Sequence, residues 1–336
     1  MKKRDWIHLS VIVLLLVFGF YRYKQKVYRL NSSQILLDTQ VEISMASKDK
    51  NLGKTMEKTF EYIKIMEKKF NYFDTESDLY KLNHNPSNTV LIDKDYKEIF
   101  KIAKKIHLDS DSLYDISIGQ ITDIWDFDKA VIPSEEQIKQ AKNLSGFEKL
   151  HIKNNILERE PGIYINLGSI SKGFIVDKAI EYMKKHNIEE GYVNAGGDIR
   201  VFSKKSNPIR IGIQHPRIAN DIIATVEIDN KAIVTSGDYE RFFEVDGVRY
   251  HHIINPKTGM PSVGTISVTV IADNATLADG LSTALFVMQP NDAINMLKKY
   301  PGVDAIIYYQ SEDGIVSLKS EGMKKYLIKE KTINEN

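Results

Sequence analysis

A carboxylate and a hydroxyl stand four residues apart in the stretch 278–283, on Asp279 and Thr283. The stretch follows the apolar segment 266–272 and has a helical pattern, so both side chains lie on one face of a predicted helix. Two such oxygen donors can approach a hard cation, and magnesium is the natural occupant. An aspartate near a helix start, with a threonine that bonds back to its own helix, explains this segment equally well.

A second stretch, 166–173, is predicted to run from a strand directly into a helix. Free N–H groups and the helix dipole attract phosphate at such a junction. Lys172 adds a mobile positive charge, so a diphosphate could bind here. The stretch is neither the G-x-G-x-x-G of dinucleotide-binding folds nor a Walker loop, and taken alone it fits a plain strand-to-helix turn slightly better.

Two further segments have residue types that suit a ligand-binding or catalytic site. Gly196 and Gly197 separate two predicted strands, where adjacent glycines either form a tight turn or let a ligand approach the backbone. His251 and His252 follow a predicted Asp-Gly hairpin at 246–247. Because side chains alternate along a strand, the two histidines face opposite ways, and only one of them can face the site.

The periodicity of apolar residues predicts the elements that must position these groups. One amphipathic helix is indicated by apolar residues at spacings of three and four, namely Met56, Phe60, Ile63, Met66 and Phe70. Ser134 and Gln137 form a capping-box pattern at another helix start. Further helices are predicted at 96–106, 172–186, 275–288 and 291–300. Strands are predicted at 39–43, 163–167, 192–194, 209–214, 224–228, 242–245, 248–254 and 266–272. The fold class is therefore α+β, with a largely antiparallel sheet and flanking helices.

Composition narrows the classes of function. The 336 residues include 46 Lys and Arg against 45 Asp and Glu, a formal charge of +1, which argues against a nucleic-acid partner. There is no cysteine, so thiol nucleophiles, disulfides, iron–sulfur clusters and lipid attachment through cysteine are excluded. Any metal must be bound by oxygen or histidine nitrogen atoms.

The amino terminus has the order of a signal-like segment. Lys2, Lys3 and Arg4 precede an apolar run at 6–21, and no small-residue cleavage pattern follows. We therefore predict an uncleaved, single-pass membrane anchor at 1–21, with the body of the protein outside the cytoplasm. A tether at 22–33, one domain at 34–330 and a polar tail at 331–336 complete the predicted organisation. A buried core helix at the terminus is the alternative.

Five short motifs follow one another in the chain. They are Asn-Leu-Gly-Ser-Ile-Ser-Lys-Gly at 166–173, Val-Asn-Ala-Gly-Gly-Asp at 193–198, Thr-Ser-Gly at 235–237, His-Ile-Ile-Asn-Pro-Lys-Thr-Gly at 252–259 and Ala-Asp-Gly-Leu-Ser-Thr at 278–283. In this order they resemble the motifs of the ApbE family, the FAD:protein FMN transferases, and the likeness covers about 34–328. The resemblance implies a single T-fold-like domain.

The resemblance also implies the site residues. A magnesium ion would be bound by the side chains of Asp279 and Thr283 and by Ser169 through its main-chain oxygen. Contacts with FAD, the substrate, fall on Leu37, Phe73, Leu113, Tyr114, Asp115, Asn166, Lys172 and Ile254. The chain departs from the family pattern where Asn166 and Asn255 replace aspartates, and where Ser282 replaces a further metal-binding aspartate of some members. The implied metal site has less negative charge.

The reaction implied by the resemblance is attack by a threonine or serine hydroxyl of a client protein on the FMN-side phosphorus of FAD, with AMP as the leaving group. The clients would be extracytoplasmic electron-transfer proteins. His252 is the predicted acid or base, and Asp198 or Asp238 could orient the hydroxyl instead. Two alternatives stay open on the sequence, a magnesium-dependent FAD pyrophosphatase and a non-catalytic flavin-binding protein.

Overall fold

The computed structural model describes residues 3–24, 26–312 and 314–331. The helices are α1 (Lys3–Lys24), α2 (Leu52–Phe70), α3 (Asp78–Asn83), α4 (Lys94–Asp109), α5 (Gly119–Asp123), α6 (Glu135–Asn143), α7 (Ser171–Lys185), α8 (Ala275–Val287) and α9 (Pro290–Leu297). The first eight strands are β1 (Tyr28–Leu36), β2 (Thr39–Ser47), β3 (Thr89–Leu91), β4 (Leu150–Lys153), β5 (Ile156–Arg159), β6 (Glu190–Ala195), β7 (Asp198–Ser203) and β8 (Ile209–Gln214). The other strands are β9 (Ile222–Ile228), β10 (Ala232–Gly237), β11 (Phe242–Val245), β12 (Val248–His251), β13 (Thr265–Ala272), β14 (Asp304–Ser311), β15 (Gly314–Lys319) and β16 (Leu327–Glu330).

The strands of the main sheet follow the order β1-β2-β6-β7-β10-β13-β14-β15, and every neighbouring pair is antiparallel. Successive residues of a strand point to opposite faces, so Val270 of β13 lies in a large core with α2, α4, α7 and α8, while Ile271 lies in a second core. The small sheet β16-β9-β8 supplies much of that second core. The α+β class and the antiparallel sheet are confirmed.

Helices α7 and α8 pack unusually closely, and this contact positions the site. A Cβ atom at Gly173 would stand 2.3 Å from the Ala275 carbonyl oxygen, so only glycine permits the approach. Asp177 of α7 then caps α8, because its carboxylate accepts hydrogen bonds from the Ala275 and Thr276 N–H groups, both at 2.8 Å. Arg200 of β7 donates to the same carboxylate at 2.6 Å. The relative position of the two helices is therefore fixed by buried polar contacts.

The predicted helices are present with ends shifted by a few residues, and the capping box of Ser134 and Gln137 is confirmed at the start of α6. The predicted strand at 163–167 is wrong. Ile163, Ile165 and Leu167 are buried in alternation, which produces a strand-like pattern. However, the Ile165 N–H bonds to the Asn83 side chain and the Asn166 N–H to the Ile116 carbonyl, and no ladder forms. An irregular extended segment therefore leads into α7.

The predicted tether at 22–33 is also wrong in part, because residues 28–33 belong to β1, which pairs with β2 from Tyr28 opposite Ser47. Tyr28 and Leu30 pack against the core while polar residues alternate with them, so the segment looks like a linker in sequence. The folded domain begins at Tyr28 and not at residue 34. Gln25 of this tether lies outside the described residues, as do 332–336 of the predicted tail.

The predicted anchor at 1–21 coincides with most of α1, while Met1 and Lys2 lie outside the described residues. Among the helices in the described part of the chain, none is long and apolar enough to cross a membrane. The apolar run is interrupted by His8, Ser10 and Gly19 and has charged residues on both sides. A membrane-spanning helix is thus not supported.

Candidate active site

The carboxylate of Asp279 on α8 faces the first turn of α7 and is almost completely buried. Its Oδ2 atom accepts a hydrogen bond from the Gly173 N–H at 2.8 Å. Its Oδ1 atom accepts none from the residues that the structure describes. Burial raises the pKa of Asp279, and the nearby carboxylate of Asp198 raises it further. The ionised form therefore calls for a cation at close range.

The turn that leads into α7 lies next to this carboxylate. Ser169 Oγ donates to the Tyr114 hydroxyl at 3.0 Å, and that hydroxyl would be 3.6 Å from a Cβ at Gly280 of α8. The N–H groups of Ser169 and Lys172 donate to no acceptor in the described parts of the chain. The structure thus brings the Ser169 turn, Tyr114 and the Asp279 helix together, and it leaves an open helix N-terminus beside them.

Lys172 extends from that first turn into a group of acidic side chains. Its Nζ atom lies 3.2 Å from Asp198 Oδ1. Burial opposes the charged ammonium, but the carboxylates of Asp198, Asp279 and Glu240 more than compensate and raise the pKa of Lys172. The positive charge of Lys172 also acts on His252. One cation and three carboxylates from four separate segments therefore share one site with a histidine.

The donors for a metal ion are sparse but of a suitable kind. Thr283 lies one helical turn after Asp279 and is half-buried. Ser282 is already engaged, with its hydroxyl 2.7 Å from Ser236 Oγ and 2.9 Å from the Asp279 carbonyl oxygen. Over the described ranges, no three His, Asp or Glu side chains form a metal-binding group. Asp279 Oδ1 and the Thr283 hydroxyl fit a hard cation that keeps most of its water ligands, as magnesium does.

The two adjacent histidines face opposite ways, as predicted. His251 is buried, its Nε2 donates to the Ser262 carbonyl oxygen at 2.8 Å, and its Nδ1 accepts from the Ile253 N–H at 3.3 Å. His252 is exposed, and its Nδ1 lies 3.2 Å from the Arg241 carbonyl oxygen. A carbonyl can only accept, so Nδ1 carries the proton and Nε2 keeps a lone pair. Only His252 is free to accept a further proton.

Although the His252 side chain keeps contact with solvent, its pKa is lowered, mainly by desolvation from the protein atoms around it. Neighbouring positive groups, Lys172 and Arg241 among them, act in the same direction, so the ring is neutral at pH 7. Asp238, one of the two alternative hydroxyl-orienting residues, is held by Arg217 through two hydrogen bonds of 2.7 Å. Its carboxylate is therefore committed to a structural ion pair.

Two predicted flavin contacts, Leu37 and Phe73, lie in segments that directly follow β1 and α2. Leu37 occupies the β1–β2 turn with a φ of 56°, and its N–H donates to Glu67. That turn is at the same end of the sheet as the Gly196-Gly197 turn, since the Gly196 N–H bonds to the Gln40 carbonyl. Phe73 follows α2, is 68% exposed and contacts Tyr72 edge-on. Its exposed ring is available for packing against a flat ligand.

A cleft of about 330 Å³ lies farther along α8. It is lined by Ser110, Asp111, Leu113, Asn255, Val287, Met288, Gln289 and Asp292. Leu113 thus borders the cleft, whereas Ile254, one residue before Asn255, is buried in a cluster with Trp125. Val287 is eight residues after Asp279, a rise of roughly 12 Å along the helix. The cleft and the carboxylates therefore lie at separate places along α8.

Two predicted contact residues instead have side chains that hold loops together. The Asp115 carboxylate accepts hydrogen bonds from the Ser117 N–H and hydroxyl, both at 2.7 Å, and from the Phe147 N–H at 3.0 Å. The Asn166 side chain accepts from the Gly168 N–H at 2.8 Å and shapes the turn before α7. The Asp115 carboxylate is thus buried and engaged mainly within the protein.

Two carboxylates that help to arrange this site were not predicted from the sequence. Glu240 follows β10 and acts on Lys172, but no motif marks it. Asp177 caps α8 from α7, and only the three-dimensional contact between the helices reveals it. Neither residue had a signal in the sequence, because each depends on an element distant in the chain.

The fold and the site define an α+β protein with an open, anion-attracting helix N-terminus beside buried carboxylates. The sequence pattern of the ApbE family matches residues 37–307. The FAD:protein FMN transferase of Vibrio cholerae is 31% identical over 264 residues, covering 76% of this chain and 79% of the relative. That of Treponema pallidum is 31% identical over 245 residues, covering 66% and 68%.

Solved structures agree with this match. The ApbE protein of Thermotoga maritima superimposes with a TM-score of 0.80 at 34% identity, covering 89% of this chain and 98% of that one. The flavin transferase ApbE of Vibrio cholerae gives 0.81 at 25% identity, covering 90% and 100%. The chain belongs to the ApbE family. It is an enzyme of the transferase class.

Proposed function

We propose that this chain transfers the FMN half of FAD to a threonine or serine hydroxyl of a client protein, with magnesium bound, and releases AMP. The observation that carries this proposal is that the charge of Lys172 and the buried carboxylate of Asp279 act on each other at the open N-terminus of α7, in a chain of the ApbE family. The FAD:protein FMN transferase relatives support the substrate and the transferred group.

The diphosphate of FAD suits the first turn of α7. The N–H groups of Ser169 and Lys172 have no acceptor among the described residues, and the helix dipole adds a partial positive charge. The Lys172 ammonium, already directed into the site by Asp198, adds a full charge. In this arrangement the protein holds the phosphates with fixed dipoles, which is the main work of catalysis in phosphoryl transfer.

Asp279, Thr283 and the main-chain oxygen of Ser169 would hold the magnesium ion. Asp279 is suited to this role because its carboxylate is buried and has one oxygen without a hydrogen bond from the described residues. When bound, magnesium supplies neutralisation of negative charge on the diphosphate.

His252 would accept the proton of the client hydroxyl through Nε2. The hydroxyl oxygen then forms a bond to the FMN-side phosphorus, and the bond from that phosphorus to the bridging oxygen breaks. AMP leaves with the bridging oxygen, and the proton stays on His252 until it is lost to solvent. The exposed position of His252 supports this role, because a client hydroxyl must reach the base from outside.

The location of the reaction stays a prediction. The basic and then apolar order of residues 1–21 supports an extracytoplasmic client, such as an electron-transfer protein that carries covalent FMN. Fractionation of cells that produce the full chain, followed by protease treatment of intact cells or spheroplasts, tests this. Protection of the chain in both would contradict an extracytoplasmic location.

The reaction is tested by incubating the full chain with FAD, Mg²⁺ and a flavin-acceptor domain. We expect the acceptor to gain the mass of one FMN and an equal amount of AMP to appear, and both to stop with EDTA. An acceptor whose Thr or Ser is replaced by alanine is the matched control. AMP without a mass gain would indicate hydrolysis of FAD by water, and neither product would contradict a catalytic role.

A further inference from the structure

The carboxylate of Asp198 is fully buried, although its neighbours satisfy only one of its two oxygen atoms. The residue is 1% exposed and begins β7, directly after the Gly196-Gly197 turn. Its Oδ1 atom pairs with Lys172 Nζ at 3.2 Å, whereas its buried Oδ2 atom has no hydrogen-bond partner among the residues that the structure describes. A buried carboxylate with an unpaired oxygen is unfavourable, so stability alone is a poor reason for this placement.

Asp198 has a competitor for the same ammonium. The charge of Asp279 also acts on Lys172, but among the described residues only Asp198 lies within ion-pair distance of Nζ. A lysine side chain has a flexible four-carbon stem. Without a partner at Asp198, the Lys172 ammonium would be drawn to the next buried carboxylate. At Asp279 it would occupy the place of a divalent cation.

We propose that Asp198 is a positioning residue that holds Lys172 away from Asp279 and so keeps the Asp279 carboxylate available to a divalent cation. This inference rests on the metal site of the proposed function. In this role Asp198 contacts neither the client hydroxyl nor the cation.

The turn before Asp198 is built to place its side chain. Gly196 and Gly197 have φ angles of 59° and 102°, and the Asn194 side chain accepts the Gly197 N–H at 3.0 Å. A Cβ at Gly196 would stand 2.4 Å from the Thr39 hydroxyl, so the turn is pressed against the start of β2. Asp198 therefore presents its carboxylate to Lys172 from a rigid support, while Lys172 provides the movable partner.

The test is a double-mutant cycle on cation binding, with no turnover involved. The full chain and the variants Asp198→Asn, Lys172→Met and the double variant are titrated with Mn²⁺, and free Mn²⁺ is followed by its EPR signal. Calorimetric titration with Mg²⁺ repeats the series. We expect Asp198→Asn to weaken binding by about tenfold, because Lys172 then pairs with Asp279. In the Lys172→Met background the same change should have less than about a twofold effect.

Asp238→Asn is the matched control, since Asp238 is also buried and ion-paired, but with Arg217 and not with Lys172. It should leave Mn²⁺ affinity unchanged, and thermal unfolding shows whether each variant is folded. Equal weakening by Asp198→Asn with and without Lys172 would overturn the inference, as would no weakening at all or loss of folding in both Asp198 variants. Failure of the unmodified chain to bind either cation would overturn the metal site as well. Binding of the cation without FMN transfer would contradict only the proposed function.

Discussion

The first turns of α7 and α8 lie against each other, but their N–H groups are used in opposite ways. At α8, the Ala275 and Thr276 N–H groups donate to Asp177, and the Leu277 N–H donates to the Asn274 side chain. At α7, the N–H groups of Ser169 and Lys172 have no acceptor among the described residues. One helix start is closed by the protein, and the other is left open to an anion.

The two buried aspartates of these helices show the same difference. Asp177 and Asp279 are equally buried, at 5% exposure each. Among the described residues, the Asp177 carboxylate accepts three hydrogen bonds from α8 and one from Arg200, whereas the Asp279 carboxylate accepts one, from Gly173. A buried carboxylate with all its donors stabilises the fold, and one with a vacant oxygen is available for chemistry. The number of donors thus separates the two roles where burial does not.

The largest effect is expected from Asp279→Asn. The asparagine oxygen can still accept the Gly173 N–H, so the fold should persist, but the negative charge that binds the cation is lost. We expect FMN transfer to fall by at least about 1000-fold. Acceptor mass and AMP release measure the loss, and the thermal unfolding midpoint should change little.

The opposite outcome is as informative. Full turnover of Asp279→Asn with magnesium would show that this carboxylate is not a cation ligand. A large loss of stability would place Asp279 with Asp177 among the structural carboxylates, and the contrast between the two helices would then fail.

Asp177→Asn should instead act on stability. The substitution breaks the buried ion pair with Arg200 and removes a cap from α8. We expect the free energy of unfolding to drop by about 3 kcal/mol, measured by urea denaturation. FMN transfer per folded molecule should stay within about threefold of the unmodified chain, because the Asp177 carboxylate is hydrogen-bonded to α8 and Arg200 and is not among the groups proposed to bind FAD or the cation. A stable variant without activity would contradict the structural role.

Lys172→Met tests the open helix start itself. The variant keeps the length and packing of the side chain but loses the charge expected to contact the diphosphate. We expect the KM for FAD to rise about 30-fold, the amount typical of a lost charge-assisted hydrogen bond, with a smaller change in kcat. Lys178→Met is a suitable control, because Lys178 is also on α7 but pairs with Glu98 of α4. An unchanged KM would mean that the α7 N-terminus does not bind the phosphates.

Local patterns predicted much of the fold because helices and caps depend on near neighbours in sequence. The spacing of Met56 to Phe70 predicted α2, and the capping box at Ser134 predicted the start of α6. Alternating burial at 163–167 misled the prediction, since it results from packing and not from strand pairing. Periodicity reports which face of a segment is buried but does not report what the backbone bonds to.

The site could be predicted only in part for the same reason. Motifs indicated Asp279, Lys172 and the Ser169 turn, and the structure brings these three together. The sequence could not rank Asp198 against Asp238, because the ranking depends on Arg217, a partner that only the fold supplies to Asp238. Glu240 likewise reaches Lys172 through tertiary packing.

The smallest effect on activity is expected from a change in pH. It applies the same contrast to the two histidines, one fully hydrogen-bonded and one with a ring nitrogen available. Both ring nitrogens of His251 are hydrogen-bonded, while Nε2 of His252 has no partner within the described ranges. Because the pKa of His252 is lowered, its ring stays neutral as the pH falls from 8 to 6.5, and it becomes protonated only below that range. At saturating Mg²⁺ and FAD, kcat should therefore vary by less than about twofold between pH 8 and 6.5 and fall at lower pH. The variant His252→Gln should lack this acidic limb in a profile of single-turnover rates. An acidic limb centred at pH 7 or above, or one that persists in His252→Gln, would assign the proton transfer to another group.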